Sequence, residues 1–113
     1  MTQEDKDILL KDLCSRLPYG VKLLHTPTNE ITNLEMIGNG VIDGNIHDLI
    51  ENFKPYLFPL SSMTEEQCEI LDSYNSMELC YLELIDWYNR NHIDYRGLIP
   101  MGLAIDATGL NIY

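Results

Sequence analysis

SMELCYLELIDWYNRNH, residues 76–92, is the most apolar helix-like run in the chain, and the remaining segments are arranged around it. At about 100° per residue, Met77, Cys80, Tyr81, Leu84, Ile85, Trp87 and Tyr88 cover one broad arc. Glu78, Glu83, Asp86 and Arg90 share the opposite arc. The spacing predicts a core-forming helix from about Met77 to Asn91, with the only tryptophan, Trp87, hidden. Leu79 and Leu82 fall on the polar arc, so either the C-terminal tail or a partner must cover them. Beyond the helix, DYRGLIP (94–100) is a turn, with Asp94 capping a short last turn that Pro100 limits. Gly102 then releases Leu103 to Ile105 as a short strand.

Working back toward the N-terminus, Thr64 and Gln67 form a capping box for a short helix from Glu65 to about Asp72, with Glu65 and Glu66 in the first turn. The preceding FKPYLFPLSSM (53–63) holds Pro55 and Pro59. Those prolines argue against a regular helix and against a central strand, and its apolar residues argue against a free linker. The expectation is an extended segment laid over the core. Thr2 with Asp5 opens a first helix, which Pro18 ends near Arg16. Ile8, Leu9, Leu13, Cys14 and Leu17 form its apolar face, with Asp7, Lys11, Asp12 and Ser15 turned away. From Gly20 the period shortens to that of strands. GVKLLHT (20–26), EITNLEMIG (30–38) and Val41-Ile42 read as strands, punctuated by Pro27-Thr28-Asn29, Gly38-Asn39-Gly40 and Asp43-Gly44-Asn45. Ile46 to Phe53 reads as a returning strand or a short helix. The class is α+β: one domain, 1–113, with a small antiparallel sheet of three or four strands and helices packed on one face.

The 113 residues fit a single small core. The net charge is −11, with seven scattered Lys and Arg against 18 Asp and Glu. A surface that tracks phosphates needs clustered cations, so direct nucleic-acid binding is disfavoured. Acidity of this degree fits a plain solvated surface, a basic protein partner or, less often, mimicry of a nucleic acid's surface, and a homodimer is a further alternative. Three widely spaced cysteines, Cys14, Cys68 and Cys80, argue against a disulfide framework and for a reducing, cytoplasmic setting. No run approaches the roughly 18 apolar residues of a membrane span.

Few residues point to chemistry. Metal sites are nucleated by close His and Cys pairs, and the sequence has none, so neither metal nor cofactor is expected. His25 and His47 lie in strand or turn contexts, and neither is expected to belong to a set of acidic partners. Cys14 and Cys80 sit on apolar faces, and Cys68 lies between Glu66 and Glu69, a poor setting for a thiolate. The densest polar cluster is His92, Asp94, Tyr95 and Arg96. In a ligand-binding or catalytic reading Arg96 contacts an anion and Asp94 orients His92. In the alternative, Asp94 caps the turn and Arg96 pairs with a nearby acid. The other candidate is a protein-binding surface drawn from Tyr56, Phe58, Leu79 and Leu82, with Glu78 and Glu83 beside them.

KPYLFPLSSMTEEQ (54–67) and HIDYRGLIPMGLAIDA (92–107) resemble a group of small proteins of Bacteroidetes genomes and their phages or mobile elements. The likeness covers roughly residues 45–113. It carries no activity and no site residue. It implies an intracellular accessory protein, and with the charge and small size it supports an expectation of a non-enzymatic interaction module that inhibits a host factor. A small-ligand or nucleotide binder, or an enzyme, built on the His92–Arg96 turn is the second expectation.

Overall fold

The computed structural model describes residues 2–76 and 81–113, without the side chains of 73–76, 81 and 82. It has α1 (Gln3–Arg16), β1 (Lys22–His25), β2 (Glu30–Asn33), β3 (Met36–Gly38), β4 (Val41–Asp43), β5 (Asp48–Leu49), β6 (Phe53–Pro59), α2 (Glu65–Ser76), α3 (Tyr81–Arg90), β7 (Ile93–Asp94) and β8 (Ile105–Asp106). The α+β class is present, with the strands divided between two sheets.

Local chemistry sets the boundaries. Thr2 and Asp5 exchange side-chain and backbone hydrogen bonds at 3.1 and 3.2 Å, closing a capping box at the start of α1. Pro18 tightens the chain into a 3-10 turn over Leu17–Tyr19, and Gly20 follows in the left-handed region. Thr64 and Gln67 make the same reciprocal pair at α2. That helix runs to Ser76, past the expected end near Asp72. Asn39 and Gly40, at φ 53° and 73°, form the two-residue loop between β3 and β4. Positive φ at both positions is the type I′ turn, whose twist matches that of the strands it joins.

The stretch read as a single strand over 30–38 is two strands in different sheets. Leu34 donates its N–H to the Val21 carbonyl at 3.0 Å, which ends the pairing of β2 with β1. The chain then enters β3, which pairs with β4, and β4 with β5, all antiparallel. The larger sheet runs β2-β1-β6-β7, with β8 also on β6.

The main correction concerns β6. At seven residues it is the longest strand, and β1, β7 and β8 all bond to it, so it is central rather than laid over the core. The prolines survive there for a positional reason. Thr26 donates to the Asn52 carbonyl at 2.9 Å, so the hydrogen-bonded pairs with β1 fall at Asn52 and, two residues on, Lys54. Pro55 is the next residue, at a non-hydrogen-bonded position opposite Leu23, with its nitrogen turned away from β1. Farther along, Leu57 accepts from Ala107 N–H and Phe58 donates to the His92 carbonyl, both at 2.8 Å. Consecutive residues bond in opposite directions, so β8 and β7 take opposite edges. Both join parallel to β6, and the connection to β7 is long enough to hold α2 and α3.

The core gathers Leu9 and Leu13 of α1, Leu23 of β1, Ile42 of β4, Phe53 and Leu57 of β6, and Leu98. Each such side chain contributes about 1.5–3 kcal/mol on leaving water. Trp87 is 5% exposed, as expected. The inward stripe of α1 is Leu9, Asp12, Leu13 and Arg16, the i, i+3, i+4, i+7 pattern. Asp12 was expected outside and is buried, and Cys14, expected in the core, is exposed.

Candidate functional site

Asp12 and Arg16 lie one helical turn apart on the buried face of α1, and both side chains are 0% exposed. Arg16 grips Asp12 with two bonds, Nε to Oδ2 at 2.7 Å and Nη2 to Oδ1 at 3.1 Å. Its Nη2 also donates to the Ile93 carbonyl at 2.7 Å, which ties α1 to β7. Arg96 reaches the same Asp12 from the C-terminal side, Nε to Oδ1 at 3.1 Å. The carbons at the centre of the two guanidinium groups lie 5.2 and 5.1 Å from the centroid of the Tyr95 ring, within cation–π range. Tyr88 of α3 stacks on Tyr95 at 5.3 Å. A buried ion pair needs this kind of support, because bringing each charge out of water costs several kcal/mol.

The predicted His92–Arg96 cluster is therefore brought together, in the capping and pairing arrangement. Asp94 is 4% exposed and spends both oxygens on backbone, accepting Leu98 N–H at 2.8 Å and Ile99 N–H at 2.9 Å. It caps the turn, and its bonds go to this backbone rather than to His92. Arg96 pairs with Asp12, the nearby acid. His92 adopts φ 57° and stacks flat on Tyr113, with centroids 3.7 Å apart and planes 10° apart. Burial, and then the Arg16 charge, pushes its pKa down to about 4. The ring is neutral at pH 7. Tyr113 is anchored through its hydroxyl, which donates to the Tyr56 carbonyl at 2.7 Å and accepts Lys22 N–H at 2.9 Å. Burial raises that phenol to about 12, so it remains an O–H donor across the physiological range. Chemically, this junction holds the C-terminal segment against α1 and β6.

A second polar contact was not anticipated. His25, at the end of β1, bonds Thr28 Oγ1 through Nδ1 at 2.8 Å and Asp48 Oδ2 through Nε2 at 2.7 Å. Its ring packs on Phe53 with centroids 4.9 Å apart. The histidine bond, followed by Leu49 N–H, holds the Asp48 carboxyl near 2. Hydroxyl, imidazole and carboxylate in series is the order used in nucleophilic catalysis. Here the ring is buried, and three hollows in the surface are all lined by other residues. The bonds join β1 of one sheet to β5 of the other. The acid sits 23 positions away in sequence, so no local pattern announced it; the inward period of Leu23 and His25 was the available signal.

The third candidate is a surface. Cross-strand register sets Met36, Gly38, Val41 and Leu49 on one face of the small sheet, and Ile37 and Ile42 on the other. Ile42 is buried, while Met36 is 62% and Leu49 49% exposed. A hollow of about 300 Å³ lies against Met36, Gly38, Val41, Asp43 and His47. Another, of about 230 Å³, is lined by Leu49, Leu10, Lys6, Asp7 and Glu51. Asp43, Asp7 and Glu51 thus border the apolar strip with carboxylates.

Of the surface residues expected from sequence, Tyr56 is 6% exposed, so it belongs to the interior. Phe58 is half-buried and lines a third hollow with Met63 and Gln67, and Glu83 is exposed. Glu78 and Leu79, and the side chain of Leu82, lie outside what the structure describes. Among the described residues no three His, Cys, Asp or Glu are grouped to hold a metal. No described helix is long and apolar enough to cross a membrane. Neither a family of known proteins, nor a curated protein, nor a solved structure matches this chain.

Proposed function

We propose that the protein is a non-enzymatic interaction module that meets a basic protein partner through the outward face of the three-stranded sheet. The observation that carries this reading is the exposure of Met36 and Leu49 on the same face as Val41, beside two hollows. Exposed apolar side chains are ordinary singly, but grouped and rimmed by polar residues they mark contact surfaces. The net charge of −11 selects for basic partners by long-range attraction and repels a second copy of the chain. The junction at Asp12 supports the same reading from the other side, because its carboxylates and guanidinium groups are engaged with one another and with backbone. Small size, acidity and the resemblance noted above support a narrower form of the reading, an accessory protein that blocks a host factor.

The test is capture from host lysate at low salt with immobilised protein, run in parallel with a Met36→Asp/Leu49→Asp double variant and an Ile70→Asp control on α2. The reading expects a basic partner that the double variant loses and the control keeps. Equal capture by all three, or none by the unaltered protein, would count against it.

A further inference from the structure

Three side chains where α1 meets the end of α3 carry buried polar atoms with no hydrogen-bond partner among the described residues: Arg16 Nη1, Asn89 Oδ1 and His92 Nδ1. Arg16 is 0% and Asn89 1% exposed. Hydrogen bonds to backbone link the three residues or their immediate neighbours. His92 N–H donates to the Asn89 carbonyl at 3.1 Å, and Arg16 Nη2 donates to the carbonyl of Ile93, the next residue, at 2.7 Å. An unpaired buried group costs about 1–3 kcal/mol, and a charged one more. Three such groups in one junction would consume much of a stability of about 5–15 kcal/mol. Folded proteins resolve this situation with ordered internal water.

The donor and acceptor inventory selects the guest. Arg16 Nη1 can only donate. Asn89 Oδ1 can only accept, and His92 Nδ1 accepts in the neutral ring whose proton is on Nε2. One donor and two acceptors complement one water, which accepts from the first and donates to the others. A bare anion such as chloride has no proton for either acceptor. It would need Asn89 turned end for end and an imidazolium at His92, which the Arg16 charge and burial both oppose. A cation would meet the guanidinium of Arg16.

We propose that the α1–α3 junction binds a single internal water held by Arg16, Asn89 and His92. The water completes the hydrogen bonding of the guanidinium beyond its bonds to Asp12 and Ile93. It also fixes the imidazole against which Tyr113 stacks, so it is part of the lock on the C-terminal segment.

A crystal structure of the full chain, at a resolution that places waters, is the first test. It should show one peak within about 2.7–3.2 Å of all three atoms. Oxygen-17 relaxation dispersion provides a second reading by counting long-lived waters. Asn89→Leu should lose one, and chloride or phosphate should give no saturable rise in Tm. The proposal is overturned if the three groups bond each other directly or if the peak is chloride. It is also overturned if a folded Asn89→Leu protein retains the unaltered protein's water count. Should that variant not fold, the crystal structure alone decides.

Discussion

The α1–C-terminal junction and the outward face of the three-stranded sheet treat side chains in opposite ways. At the junction Arg16, Asp12 and Asp94 are drawn inward, Arg96 reaches Asp12 from the surface, and the four, formally neutral together, are bonded to one another and to backbone. On the sheet, Met36 and Leu49 are left in water. Folding drives apolar groups in and leaves charges out, so each region runs against the general trend. The contrast separates two tasks. Charges are worth burying where they fix one arrangement of distant chain segments, and here they connect residues 84 positions apart. Apolar groups left exposed contribute nothing to that task and are available to a partner.

Substitutions should therefore act on stability at the junction and on binding at the sheet. The largest loss is expected for Asp12→Ala. It leaves the fully buried Arg16 without its carboxylate and releases Arg96, and breaking one side of a buried pair costs about 3–5 kcal/mol. Urea unfolding should show the midpoint falling sharply. A loss below about 1 kcal/mol would mean that the pair is solvated and the junction is not a lock.

Next in size is a pH effect at His92. Its folded pKa of about 4 lies below the ordinary imidazole value of 6.5, so between these values the unfolded chain binds the extra proton. Stability is fully present above about 6.5 and declines as pH falls toward 4. The loss is on the order of 2 kcal/mol once partial exposure of the ring is allowed for. His92→Asn keeps a residue that tolerates φ 57° and should flatten the Tm profile over that window. Asp48 acts lower, between the ordinary carboxyl value of 3.8 and about 2, where protonation removes the charge that its bond to His25 stabilises. An unchanged slope between pH 6.5 and 4 in His92→Asn would assign the effect to other groups.

Tyr113→Phe tests the same lock more gently. It removes a hydroxyl that bonds Tyr56 and Lys22 while keeping the ring on His92. The expected cost is about 1–2 kcal/mol, read by thermal unfolding. A neutral result would show that stacking alone holds the C-terminus.

What could be read from the sequence was local. The capping boxes at Thr2 and Thr64, the stop at Pro18 and the turn at Asn39-Gly40 each depend on residues within a few positions, and all are found. Trp87 is hidden because its neighbours repeat with helical period. The failures share one cause. Counting only apolar residues on α1 placed Asp12 outside and Cys14 inside; Arg16 is a local partner of Asp12, but the Ile93 carbonyl and Arg96 that complete the buried junction lie beyond position 90. The rule against proline in a central strand was applied to the residue, whereas the constraint falls on the direction of one nitrogen. β7 and β8 pair through two residues each, too few for a period. The His92–Arg96 cluster was visible as a cluster, and its engagement with Asp12 was not.

The smallest stability effect is expected at the sheet, and that is what makes it diagnostic. Met36→Asp and Leu49→Asp change side chains already in water, so unfolding should shift by no more than about 0.5 kcal/mol. If the face serves a partner, the same variants should abolish capture of that partner, because the new carboxylates would have to be desolvated against an apolar contact. Loss of stability along with binding would mean that these residues support the fold. Retention of both would empty the face of function. Only loss of binding at constant stability fits a chain that keeps its charged lock and its contact surface on different elements.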